Sequence, residues 1–132
     1  MCSTVNSLKS TVIFLACAIF VMVAAGCMKD MRFELPPNET LTVLVYGGGR
    51  PLTERQITPL SKEHHLLAVW LAANSRGWSP TPATYVPGVY VKGKGFSINF
   101  LKSMVIINFQ EGQYIKSVDP KSYEFLLENS RT

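Results

Sequence analysis

The chain has 132 residues, with 13 lysines and arginines against nine acids, a length that holds one domain of ordinary size and no second one. Its basic residues are scattered and gather on no helix, so the surplus of +4 favours solubility and weak attraction to acidic surfaces and argues against nucleic acid as a partner. The three cysteines stand at positions 2, 17 and 27, so the rest of the chain offers no cysteine-ligated zinc site, no thiol nucleophile and no internal disulfide.

Residues 11–26 carry no charge, follow Lys9, and end in the small residues Ala24, Ala25 and Gly26 before Cys27. This apolar run falls short of the roughly 20 residues that a membrane span needs, and it suits the core of a secretion signal. The stretch Ala24-Ala25-Gly26-Cys27 resembles the lipobox of bacterial lipoproteins, with Ala24 where that family more often has a larger aliphatic residue and Val23 just before it. The resemblance implies transfer of diacylglycerol to the Cys27 thiol, cleavage by signal peptidase II, and acylation of the new amino group by a chain such as palmitate. Each buried methylene adds about 0.8 kcal/mol, so several chains make a lasting membrane anchor. The implied location is the bacterial cell envelope. In a Gram-negative cell, Met28 in place of an aspartate points to the outer membrane, facing the periplasm. Three segments follow: a signal peptide over 1–26, a lipidated N-terminus and tether over 27–39, and a single globular domain over 40–132. Cys2 and Cys17 fall in the removed part. Lys9 is the one charge lost with it, which leaves twelve bases against nine acids, a charge of +3.

Residues 28–40, with mixed charge and the Pro36-Pro37 pair, read as extended tether. Leu41, Val43 and Val45 alternate with Thr42, Leu44 and Tyr46, which predicts a strand over 40–46, closed by Gly47, Gly48 and Gly49. The glycines and Arg50 lack the spacing of a phosphate-binding loop and precede Pro51, so they read as a turn into an irregular stretch. Helical spacing then covers 61–76, with Ser61 as N-cap and Gly77 as the stop. Leu67, Trp70, Leu71 and Asn74 lie on one face, and Leu66, Val69 and Ala73 widen the apolar stripe. His64 and His65 are adjacent and project about 100° apart, so they are expected to be partly exposed and not to share a metal.

Residues 78–88 contain Pro80, Pro82 and Pro87 and can form neither a continuous helix nor a central strand. Within this stiff loop Trp78 and Tyr85 either pack inward as a lid or project as aromatic anchors. Alternating runs over 89–92, 96–101 and 104–109 predict hairpins, with Phe96, Ile98, Phe100, Val105, Ile107 and Phe109 on one side. Lys92, Lys94 and Lys102 form either a small basic rim or a set of solvated turns that guard strand edges. A further strand is expected over 114–118. Asp119-Pro120 then opens a helix to about 129 that packs Tyr123, Leu126 and Leu127.

The expected fold is α+β: an antiparallel sheet of the early strand and a C-terminal meander, covered on one face by helices over 61–76 and 120–129. No arrangement of serine, histidine and aspartate, and no H-E-x-x-H spacing, occurs in the sequence, so no residue is assigned a catalytic role and no metal or cofactor is called for. The expected function is that of a noncatalytic protein-binding module held at the envelope, such as an inhibitor or immunity protein against a toxin or hydrolase. An accessory subunit of an envelope assembly or secretion machine is the alternative. A small-ligand binder needs a cavity, and a hydrolase needs two carboxylates brought to one cleft. The candidate partner surface comprises Trp78, Tyr85, Tyr90, Lys92 and Lys94, with Cys27 as the lipidation site.

Overall fold

An alternating strand with one apolar face must lay that face on something, and residues 41–47 do so through their neighbours in a sheet. The computed structural model describes residues 28–128. Strands β1 (Leu41–Gly47) and β2 (Arg50–Ile57) form a hairpin, followed by helix α1 (Lys62–Ala73) and the two-residue strand β3 (Ser79–Pro80). Strands β4 (Val89–Gly93), β5 (Phe96–Leu101), β6 (Met104–Phe109) and β7 (Gly112–Ser117) make the meander. A 3-10 turn (Pro120–Tyr123) and a four-residue helix α2 (Phe125–Glu128) come last. All strands join one antiparallel sheet in the order β2-β1-β4-β5-β6-β7-β3. The signal peptide and Cys27 lie outside the described residues.

Register puts the apolar residues in rows. Val43 pairs with Val91, Val91 with Ile98, Ile98 with Ile107, and Ile107 with Tyr114. Helix α1 crosses this face and buries His64, Leu67, Trp70 and Leu71. Trp70 meets Phe100 edge to face at 5.1 Å, and Phe100 meets Tyr123 at 4.9 Å. Leu67, Ile98, Ile107 and Leu126 are fully buried, each worth about 1.5–3 kcal/mol of transfer free energy.

Several expectations are corrected. The stretch after the glycine turn is strand β2 and not irregular. It lies at the sheet edge, where Pro51 sacrifices no needed hydrogen bond, and only Ile57 of its eight residues is buried. The turn itself is a two-residue hairpin in which Gly48 and Gly49 have φ of 60° and 79°, values that favour glycine. Helix α1 ends earlier than Gly77, at Asn74, whose side-chain amide donates to the Trp70 carbonyl at 2.9 Å. Val69 is half exposed and outside the apolar stripe. His64 is buried, with Nε2 3.2 Å from the Pro36 carbonyl oxygen, whereas His65 is exposed.

Among the described residues one helix of 12 residues crosses the apolar face, and no second helix of comparable length stands beside it. Among the described residues the C-terminal segment is the 3-10 turn, capped by Asp119 with Pro120 in its first position, followed by the four-residue helix α2. Tyr123 and Leu126 of that segment are buried in the core, and further cover comes from the segment expected to be a tether. Lys29 and Trp78 exchange backbone hydrogen bonds of 2.8 and 3.2 Å, and the Met31 amide donates to the Ser75 carbonyl at 2.5 Å. Met31 is buried, and the Phe33 ring packs on Phe96 at 4.8 Å and Phe109 at 5.3 Å.

Candidate functional site

With one face of the sheet filled, side chains of the other parity face outward. Tyr90 on β4 pairs with Asn99 on β5, and Asn99 pairs with Ile106 on β6. One step along the strands, Lys92 pairs with Ser97, Ser97 with Asn108, and Asn108 with Gln113. The proline-rich residues 81–88 run over this outer face, and their stiffness is matched by fixed attachment. The Thr81 amide donates to the Gln113 carbonyl at 3.0 Å, and the Tyr46 amide donates to the Gly88 carbonyl at 2.9 Å.

Two amide side chains hold the middle of the loop. Asn99, only 6% exposed, accepts from the Gly88 amide at 2.9 Å and donates to the Val86 carbonyl at 3.2 Å. Gln113 Nε2 donates to the carbonyls of Thr81 at 3.0 Å and Ala83 at 2.8 Å. The Tyr85 hydroxyl lies 2.5 Å from Thr81 Oγ1. Gly88 is demanded by close approach, since a β-carbon there would lie 2.5 Å from the Phe100 carbonyl oxygen. Between loop and sheet remains a hollow of about 260 Å³, lined by Tyr85, Tyr90, Ser97, Asn99, Asn108 and Gln113 among others, with no charged side chain in its wall.

A shallower hollow on the same side of the hairpins holds Glu39, Glu54, Lys92 and Lys94. The Glu39 carboxylate accepts from the Lys94 backbone amide and so braces the β4–β5 turn. Four of the five residues expected to form a partner surface therefore border two hollows reached from the outer face: Tyr85 and Tyr90 in one, Lys92 and Lys94 in the other. Trp78 is the correction. It is 1% exposed, and its indole donates to the Asn74 carbonyl at 2.6 Å, so it takes the inward alternative and offers no area to a partner. Asn99, Asn108 and Gln113 were not singled out from sequence. The only signal was their place on the polar parity of β5, β6 and β7, which any solvated face also displays.

An apolar groove of about 610 Å³ opens at the opposite end of the meander, lined by Val45, Val89, Phe100, Met104, Tyr123 and Leu127 among others. Burial pushes the Tyr123 phenol above the ordinary tyrosine range. Among the described residues no group of three or more histidines, cysteines and acids is placed to hold a metal ion, and no helix is long and apolar enough to cross a membrane. Comparison with known proteins finds no family model that matches the chain, and no match among curated proteins or solved structures.

Proposed function

We propose that this chain is an envelope lipoprotein anchored through Cys27, whose domain is a noncatalytic protein-binding module of the inhibitor or immunity type. The observation that supports it best is the outer face. Its loop is stiffened by Pro82 and Pro87 and held by Asn99 and Gln113, so Tyr85, Tyr90 and Lys92 are presented with little ordering left to pay for on binding. Tyrosines beside a charged rim are the composition that protein interfaces favour at their energetic centres. Membrane attachment would add a high local concentration at the surface where a partner arrives.

Two experiments separate the parts of this reading. Expression of the full chain with a labelled fatty acid should give a labelled protein, and Cys27→Ser should lose the label and leave the membrane fraction. Retention of both would sink the anchor. Capture from envelope extracts with the full chain should recover one stoichiometric toxin or hydrolase that loses activity on mixing, and the double substitution Tyr90→Ala with Lys92→Glu should lower that recovery at least tenfold. Recovery of a multi-protein complex instead would favour an accessory subunit.

One observation favours a hydrolase as second reading: Glu39 and Glu54 border the same hollow, as a general acid and base would have to. Lys92 and Lys94 share that hollow, and Glu39 is engaged with backbone, an arrangement that also serves to tie down a turn. Any hydrolysis of glycan or peptide bonds by the full chain should vanish in Glu54→Gln if this pair is catalytic.

A further inference from the structure

The hollow beneath residues 81–88 sets Ser97 and Asn108, which the protein-binding reading does not use, beside Tyr85 and Tyr90, which it does. Its polar side chains are those of tyrosine, serine, threonine, asparagine and glutamine, none of them charged. A carboxylate, phosphate or ammonium group drawn in here would lose water without meeting an opposite charge, which is costly. A purely aliphatic ligand would fail for the converse reason, since it would strip water from amides and hydroxyls and replace none of their hydrogen bonds.

Counting partners narrows the ligand further. Asn99 spends both ends of its amide on Gly88 and Val86, Gln113 spends its nitrogen on Thr81 and Ala83, and the Tyr85 hydroxyl is taken by Thr81. The hydroxyls of Tyr90 and Ser97 and the amide of Asn108 make no hydrogen bond among the described residues. Ser97 and Asn108 are direct cross-strand neighbours, which places their β-carbons about 5 Å apart. Asn108 in turn faces Gln113. The wall thus presents neighbouring neutral donors and acceptors on a rigid sheet, with the rings of Tyr85 and Tyr90 beside them.

We propose that this hollow binds one ring of a neutral saccharide. Sugar hydroxyls both donate and accept, as a mixed lining of amide and hydroxyl groups requires, and the C–H face of a pyranose gives a tyrosine ring an apolar surface to cover. About 260 Å³ lies below the range of about 300–1,000 Å³ typical of drug-sized ligands, so the hollow takes a terminal or projecting unit and not the interior of a chain. This site needs neither the Cys27 anchor nor a protein partner, and its failure would leave both standing.

The test is a titration of the full chain, held in micelles of a phosphocholine detergent that has no sugar headgroup, with N-acetylglucosamine oligomers and cello-oligosaccharides. Glucuronic acid oligomers serve as the charged control. Amide-resolved NMR should show saturable shifts of the Asn108 and Gln113 side-chain resonances, with half-saturation below about 10 mM for at least one neutral probe. Asn108 is exposed, so Asn108→Ala should keep the folded spectrum and bind at least fivefold more weakly, and Tyr90→Phe should weaken binding in the same direction. No saturable shift with either neutral probe, equal binding by Asn108→Ala, or tighter binding of the charged control would each overturn the proposal.

Discussion

Arg55 sits on the covered side of an edge strand, a position where a long cation is normally unwelcome. Its guanidinium reaches Glu63 on α1 in a two-pronged ion pair of 2.7 and 2.5 Å and also donates to the Leu126 carbonyl at 2.7 Å, so one side chain ties the edge strand to both helices. The two side chains are only 18% and 13% exposed. Removing one partner strands the other with little water, and Glu63→Gln should cost about 3 kcal/mol in denaturant unfolding. Replacing both with methionine removes the two charges together and gives up only the bond to the Leu126 carbonyl, so the double variant should lose less than either single one. Tyr123 makes a different kind of link: its buried hydroxyl donates to the Lys102 carbonyl at 2.7 Å, and desolvation raises its pKa. A folded-state pKa above the unfolded one means that this contribution is complete below about pH 10, the ordinary tyrosine value, and drains away as pH climbs from there through the folded pKa. Tyr123→Phe should cost about 1 kcal/mol at neutral pH yet decline less steeply above pH 10, which urea midpoints measured across that range would reveal.

The loop over 81–88 has no regular structure of its own, so its conformation is borrowed from two side chains of the sheet. Asn99→Ala removes the partners of the Gly88 amide and the Val86 carbonyl together, and should destabilise by about 1–3 kcal/mol. Hydrogen exchange at the Gly88 amide should accelerate by more than the global loss of stability accounts for, because the loop opens locally. Equal acceleration everywhere would mean that Asn99 supports only the core. This dependence explains which elements were legible in the chain itself. Strands β1 and β4 alternate in burial, β5 and β6 depart from alternation at Asn99 and Ile106, which the 81–88 loop covers, and in helix α1 Leu67, Trp70 and Leu71 mark the buried face and Ser61 the start. Strand β2 carries no such period, because an edge strand with one buried residue is specified by its turn and its neighbour. The site was half visible. Tyr85, Tyr90, Lys92 and Lys94 stood out by residue type, but the hollow exists only because strands paired in register bring Ser97, Asn108 and Gln113 side by side, and register across separate strands is not written in any one of them.

Docking of residues 28–40 changes what the molecule is as a body. The segment closes one side of the core with Met31, Phe33 and Leu35, and it is held by the backbone bridge between Lys29 and Trp78. Lys29 extends its ammonium over the Tyr114 ring at 4.6 Å and toward Glu111 at 3.5 Å, fastening the start of the segment to β7 and the turn before it. An anchor at Cys27 would then be separated from the folded body by Met28 alone, holding the domain against the bilayer surface in a restricted orientation, where a free tether of a dozen residues would let it roam. Stability tests this directly. A chain beginning at residue 40 loses the buried Met31, itself worth about 2–5 kcal/mol by analogy with methionine-to-alanine substitutions in cores, and uncovers the Phe96 and Phe109 rings. Its melting temperature should fall about 15 °C or more below that of a chain beginning at residue 28, since each kcal/mol moves a domain of this size by about 4–8 °C. Met31→Asp in the longer chain should reproduce much of that fall, because a carboxylate forced into the same apolar position must either desolvate or expel the segment. Equal melting of the two chains would mean that the segment rests on the sheet without contributing to it, and the fixed standoff from the membrane would go with it.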